Sequence, residues 1–206
     1  MRGATDRPVR RAVQLLGGLA LFSLSLALLV RAHLGVDPWT VLTQGLSRTI
    51  GHTLGEITVA VSLVLLLLWI PLRQRPGLGT VGNALLVGPM LDLALALLPT
   101  PEQLGWRIAF LLLAVPLTAL ATGLYVGAGW GPGPRDGLMT GLAALGMPLF
   151  AARAAIEVTV LAVGWFLGGS VGVATVAYAA SIGPLVGLAL PRLSLARPES
   201  PEPGTP

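Results

Sequence analysis

Six long apolar runs, at 12–32, 54–72, 78–98, 107–128, 149–168 and 171–190, leave this chain few folds to choose from. Each is close to the roughly 20 residues needed to cross the hydrocarbon core of a bilayer. The expected class is an all-α membrane protein with six transmembrane helices. Composition agrees, since only 11% of the side chains are charged, against roughly 25% in an ordinary globular domain. The mean hydropathy is +0.81. The first run is too long for the roughly 7–15 apolar residues of a signal peptide, and it has an internal counterpart at 107–128, so it is read as a retained span.

Two shorter segments, 38–50 and 134–146, follow the first and fourth runs; they are too short to cross and too polar to face lipid. The ends, 1–9 and 192–206, read as tails, the second being rich in Pro, Ser and Glu.

All 13 basic residues are Arg, standing mostly at the ends of apolar runs. With the N-terminus inside and six crossings, Arg2, Arg7, Arg10, Arg11, Arg73, Arg75, Arg135, Arg153, Arg192 and Arg197 fall on the cytoplasmic side. Arg31, Arg48 and Arg107 fall outside. The positive-inside bias therefore places both termini in the cytoplasm of a plasma (inner) membrane protein. The same placement argues that a pI near 11.0 reflects membrane anchoring and not nucleic acid. With no Cys and no Lys, disulfides, thiolate metal sites, Schiff-base chemistry and Walker-type phosphate loops are excluded. No Ser/His/Asp arrangement, HExxH pair or paired catalytic carboxylates are present either, so no enzyme and no cofactor are expected.

The chain resembles itself. Gly35, Pro38, Leu42, Gly45 and Leu46 match Gly131, Pro134, Leu138, Gly141 and Leu142. Glu56-Ile-Thr-Val59 matches Glu157-Val-Thr-Val160. Gly77, Thr80, Val81, Ala84, Gly88 and Pro89 match Gly172, Thr175, Val176, Ala179, Gly183 and Pro184. The blocks keep their order, which makes 10–99 and 104–191 two copies of a unit built as span, short segment, span, span. Three crossings per unit is an odd number, so the copies are expected to be inverted across the membrane.

Each short segment reads either as an interfacial helix lying flat or as a re-entrant half-helix; the second is favoured. Asp37-Pro38 is a helix start, with Asp as cap and Pro at the first helical position. The backbone of Gly129–Asp136, with Gly131, Gly133 and Pro134, cannot be regular helix, and such backbone at a membrane must be protected or line water. Gly133, Gly137 and Gly141 form a ridge that admits close packing.

The motifs Leu34-Gly-Val-Asp-Pro-Trp39, Pro71-Leu-Arg-Gln-Arg-Pro-Gly-Leu-Gly79 and Gly131-Pro-Gly-Pro-Arg-Asp-Gly-Leu-Met139 resemble the bacterial YczE/YyaS/YitT-type membrane proteins, over roughly residues 10–192. The resemblance implies an integral plasma-membrane protein. It brings no substrate and no catalytic residue.

Ionisable residues within spans are costly and point to function. Asp37, Asp92, Arg135, Asp136 and Glu157 are the candidates for a solute or ion pathway, with Gly35, Pro38, Gly131, Gly133 and Pro134 as loop and hinge positions. Asp92 stands out because no local partner is evident. Glu56 also reads as half of a capping box with Thr53. Glu157 has Arg153 one turn earlier, so function and a structural ion pair compete there. His33, Asp37, His52 and Glu56 share one end without the pattern of a metal site. The glycine pairs Gly123/Gly127, Gly164/Gly168 and Gly183/Gly187 read as helix-packing contacts. The functional expectation is a small secondary transporter or permease for a small polar or anionic solute. The alternative is a non-transporting scaffold that supports a partner complex in the bilayer.

Overall fold

A computed structural model describes residues 8–195, and these form helices α1 (Pro8–Ala32), α2 (Pro38–Ile50), α3 (Leu54–Trp69), α4 (Leu78–Leu97), α5 (Leu104–Gly127), α6 (Pro134–Ala144), α7 (Leu149–Phe166) and α8 (Val173–Leu193). The all-helical class is as expected. Of the two tails, residues 8, 9, 192 and 193 are helical, and the remainder beyond 8–195 lies outside the described residues. Five of the helices are long and apolar enough to cross a membrane by themselves. The second apolar run is shorter than its sequence indicates. Its helix, α3, has 16 residues, about 24 Å at 1.5 Å per residue. It joins α2 at a bend of 114°.

Local chemistry sets these boundaries. The Asp37 carboxylate accepts the Thr40 N–H at 3.3 Å and Pro38 opens α2. The helix ends at Gly51, whose φ of 83° is the left-handed conformation that glycine adopts without a Cβ clash. At α3, Thr53 and Glu56 form the expected capping box. At α6, the Asp136 carboxylate turns back to the Gly133 N–H at 3.2 Å.

α1 and α5 run antiparallel along their whole length. Arg11 donates to the Ala128 carbonyl at one end (3.0 Å). Arg107 donates to the Ala32 and His33 carbonyls at the other (2.7 and 2.6 Å). Between them Gly18 meets the Tyr125 backbone, and the buried hydroxyls of Ser25 and Thr118 bond at 2.9 Å. α4 packs on α1, α8 on α5, and α3 on α4. The short helices cross over: α2 packs on α7, and α6 on α3. Arg31, Arg48 and Arg107 each bind backbone at a helix end. Arg31 reaches the Leu95 carbonyl, Arg48 the Gly168 carbonyl and Arg107 that of Ala32. Each binds at a helix C-terminus, where the backbone dipole favours a cation.

The stretches before α2 and α6 are docked in matching ways. The Ala174 N–H donates to the Leu34 carbonyl (2.9 Å), and the Gly79 N–H to that of Trp130 (2.7 Å). Gly35 (φ 104°) lies against Gly172 and Thr175, and Gly131 (φ 110°) against Gly77 and Thr80. A Cβ at Gly35 would strike the Gly172 backbone, and one at Gly131 the Thr80 hydroxyl.

The glycine ridge of α6 packs against the end of α3: a Cβ at Gly137 would fall inside the Trp69 ring, and one at Gly141 would meet Leu72. Gly123 and Gly127 pack on α8, and Gly164 on α2. Gly168, Gly183 and Gly187 do not behave as read. Nothing lies within 4 Å of the Cβ position at any of them. Gly168 instead takes a left-handed turn (φ 92°) after α7.

This contrast is measurable. Gly137→Ala is expected to destabilise the fold by about 1–3 kcal/mol through overpacking. Gly183→Ala is expected to be neutral or stabilising by up to about 1 kcal/mol, since it only gains helix propensity. Thermal unfolding in one detergent compares them, and equal melting temperatures for the two variants would contradict the packing described for α6.

Candidate functional site

A cavity of about 120 Å³ lies among the helices, at mid-length of several of them. Phe22 of α1, Val87 of α4 and Ile182 of α8 reach it, as do the starts of both short helices. At about 30 Å³ per water it has room for about four molecules. Its polar lining comprises Asp37, Thr58, Ser62, Asn83, Thr122, Tyr125, Arg135, Asp136, Arg153, Glu157 and Tyr178.

The two halves meet here through Asp37 at the start of α2 and Arg135 in the first turn of α6. Arg135 Nη1 lies 3.6 Å from Asp37 Oδ1. The guanidinium also sits over the Trp39 ring, 5.3 Å from its centroid, a cation–π arrangement. The Asp37 side chain is only 2% exposed. Both short helices present N-terminal ends to this space, each equivalent to roughly half a positive charge. Two buried polar atoms of the lining residues have no partner, Asp37 Oδ2 and the Trp39 indole N–H. One is an acceptor and the other a donor.

The remaining charges are more fully engaged. Asp136 Oδ2 accepts from the Tyr125 hydroxyl and from the Gly133 N–H, each at 3.2 Å. Arg153 donates to Glu157 at 2.8 Å along one face of α7. Tyr125 stacks edge-on against Phe22, with centroids 5.7 Å apart, which fixes the hydroxyl toward Asp136.

Of the residues singled out in the sequence, Asp37, Arg135, Asp136, Glu157 and Arg153 converge on the cavity, together with Pro38, Gly133 and Pro134. Gly35 and Gly131 lie behind it, in the docking contacts between halves. Asp92 is elsewhere, and it has partners: it accepts the Thr53 hydroxyl at 2.5 Å and the Gly55 N–H at 2.8 Å. It holds the start of α3 against α4. Glu56 likewise serves the start of α3, bonding the Thr53 N–H at 3.1 Å and His52 at 3.0 Å. Sequence reading missed Trp39, Asn83, Tyr125 and Tyr178. Their signal was weak, since single polar or aromatic residues in apolar runs are common at packed helix faces.

The architecture defines a multi-pass membrane protein with a polar cavity lined from both halves of the chain. The chain belongs to a family of unknown function, DUF6198, whose profile matches residues 9–191. It is 36% identical to a Haemophilus influenzae protein described as uncharacterized, over 84% of this chain and 79% of that one. It is 29% identical to the uncharacterized membrane protein YczE of Bacillus subtilis, over 85% of this chain and 83% of that one. It is 30% identical to YyaS of the same organism, over 59% and 62%. The expected YczE/YyaS-type kinship is thereby established. No solved structure matches.

The contacts of Asp92 give it a structural role that can be separated from the cavity. Asp92→Asn is expected to lower stability by about 1.5–3 kcal/mol, the range for hydrogen bonds to a charged group. A double-mutant cycle with Thr53→Ala should show a coupling of at least about 0.5 kcal/mol. Strict additivity in that cycle would remove the assignment.

Proposed function

We propose that the chain is a small secondary permease of the bacterial plasma membrane, non-catalytic, that handles a small polar or anionic solute at the Asp37–Arg135 pair. The observation that carries this reading is the meeting of two short-helix N-termini and an Arg–Asp pair, its Asp buried, in one polar cavity among the helices. Positive helix ends and a guanidinium are a fitting cradle for an acceptor-rich solute. The orphan indole N–H of Trp39 adds a donor, and Asp37 Oδ2 an acceptor. A solute that takes over the Arg135 guanidinium does so in competition with Asp37.

In this reading α3 counts as a crossing, giving six spans in two inverted copies of three, with both termini cytoplasmic. The matched docking of Gly35 on Gly172 and of Gly131 on Gly77 supports the duplication. So does the exchange of partners between α2–α7 and α6–α3. Relative motion of the two copies then opens the cavity to one face or the other.

The absence of cysteine makes labelling clean. Single variants Ile50→Cys and Leu145→Cys, at exposed positions, should react with an impermeant thiol reagent from opposite faces, position 50 outside. Modification of both from one face would end the inverted-repeat reading.

For transport, wild-type proteoliposomes should pass at least one member of a panel of small carboxylates, inorganic phosphate and neutral polyols. Arg135→Gln should lose about tenfold or more, equal to about 1.4 kcal/mol. Breaking a buried pair costs about 3–5 kcal/mol, so the double variant Asp37→Asn/Arg135→Gln serves as the folded control. It should fold and also fail to transport. No flux of any panel member through folded wild-type protein, with a stoichiometric partner retained on purification, would favour the scaffold alternative instead.

A further inference from the structure

Behind the polar cavity lies a second hollow of different character. It is a groove of about 660 Å³ between α3 and α7, floored by the outer parts of α2 and α6. Leu42 and Leu46 of α2 face Leu138 and Leu142 of α6 across it, and Val64, Leu68, Ala155 and Val160 are among its walls. Apart from Trp39 and Thr159 the lining is purely aliphatic. Val64 and Leu68 are 56% and 45% exposed, so the groove is open to the surroundings. Being cut into the sides of apolar helices, it opens toward hydrocarbon.

The groove and the cavity stand back to back. Trp39 lines both. Met139 borders the cavity, Leu65 and Ile156 border the groove, and these four side chains pack as one cluster. The partition is therefore about one side chain thick. Met139 in this wall is unbranched and readily changes rotamer. On the cavity side of this wall stands the Arg135 guanidinium, stacked on the same Trp39.

An aliphatic groove open to the bilayer, adjoining a guanidinium and two helix N-termini, matches a molecule with an apolar tail and an acidic or acceptor-rich head. We infer that the solute of this site is an amphiphile drawn from the bilayer, its acyl tail lying between α3 and α7 and its head reaching Arg135 past Trp39. This rests on the permease reading of the Arg135 site and revises its substrate class, from a small free solute to an amphiphile whose head alone is small and polar. A small hydrophilic solute would have no use for the groove. An acidic head on a single acyl chain answers both features at once, the aliphatic groove and the Arg135 guanidinium beyond Trp39.

Quenching of Trp39 tests the inference in vesicles of phosphatidylcholine containing the full chain. A fatty acid brominated at mid-chain, added at low mole fraction, should quench part of the tryptophan fluorescence saturably. Trp39→Phe should abolish that saturable part while leaving the other four tryptophans. Arg135→Gln should raise half-saturation about tenfold. Ala60→Phe and Ala155→Phe fill the groove without touching the Asp37–Arg135 pair, and should abolish saturable quenching in protein that still elutes and melts as wild type. If brominated phosphatidylcholine itself quenches Trp39 as well as the fatty acid does, the groove holds only ordinary solvent lipid and the inference falls. If no saturable quenching occurs while small carboxylates still cross in the proteoliposome assay, the amphiphile inference falls and the permease reading stands. If neither occurs, both fall.

Discussion

The two non-helical stretches that lead into α2 and α6 can lie inside the protein only because the other half of the chain bonds them. Away from water, a backbone N–H or C=O without a partner costs several kcal/mol. Leu34 and Trp130 find donors at the starts of α8 and α4, at 2.9 and 2.7 Å. Pro132 accepts the Thr80 hydroxyl at 2.7 Å, and the Val36 N–H reaches Ser170 at 3.3 Å. These bonds require close backbone approach, so glycine stands at 35, 77, 131 and 172. The same bonds hold Asp37 and Arg135 facing each other. The polar site is thus a consequence of how the loops are satisfied.

Much of this was legible in the residues, for reasons that differ by element. The start of α2 followed from Asp37-Pro38, because caps act within a few residues. The Arg153–Glu157 pair followed from its four-residue spacing, and the capping box at Thr53 from its three-residue spacing. What could not be read was any pairing made across the bundle. Asp92 seemed unpartnered because its partners, Thr53 and Gly55, precede it by 39 and 37 positions. Tyr125 and Asn83 became site residues only when α5 and α4 were placed around the same cavity. Gly183 and Gly187 misled for the converse reason, since small residues permit packing and do not compel it.

The charges around the cavity limit what it can accept. Asp37, Asp136 and Glu157 face Arg135 and Arg153, an excess of one acid among the titratable side chains of the lining. The N-termini of α2 and α6 add roughly half a positive charge each, which brings the whole near balance. In a medium of low dielectric constant, further net charge is expensive. In the proposed reading an anion enters by exchange, taking the Arg135 guanidinium from Asp37. A neutral head bearing a donor and an acceptor needs no such exchange, because the two orphan atoms, Asp37 Oδ2 and the Trp39 indole N–H, offer it one bond each.

The halves differ most where α3 meets α4. Gly55 and Gly88 bring those helices into backbone contact, and Asp92 bonds the first turn of α3 across the gap. In the second half the positions that answer to Gly88 and Asp92 are Gly183 and Gly187, and neither has a neighbour at its Cβ position. α7 instead leans on the short helices, packing against α2 and α6. One half is consequently latched by a carboxylate at a helix start, while the other depends on contacts with the elements that form the cavity. Any rearrangement around a bound molecule should fall on the side lacking the latch, because α7 and α8 are not packed together while Asp92 ties α3 to α4. Asp92, singled out in the sequence for want of a local partner, is in the structure the bond that joins the first turn of α3 to α4.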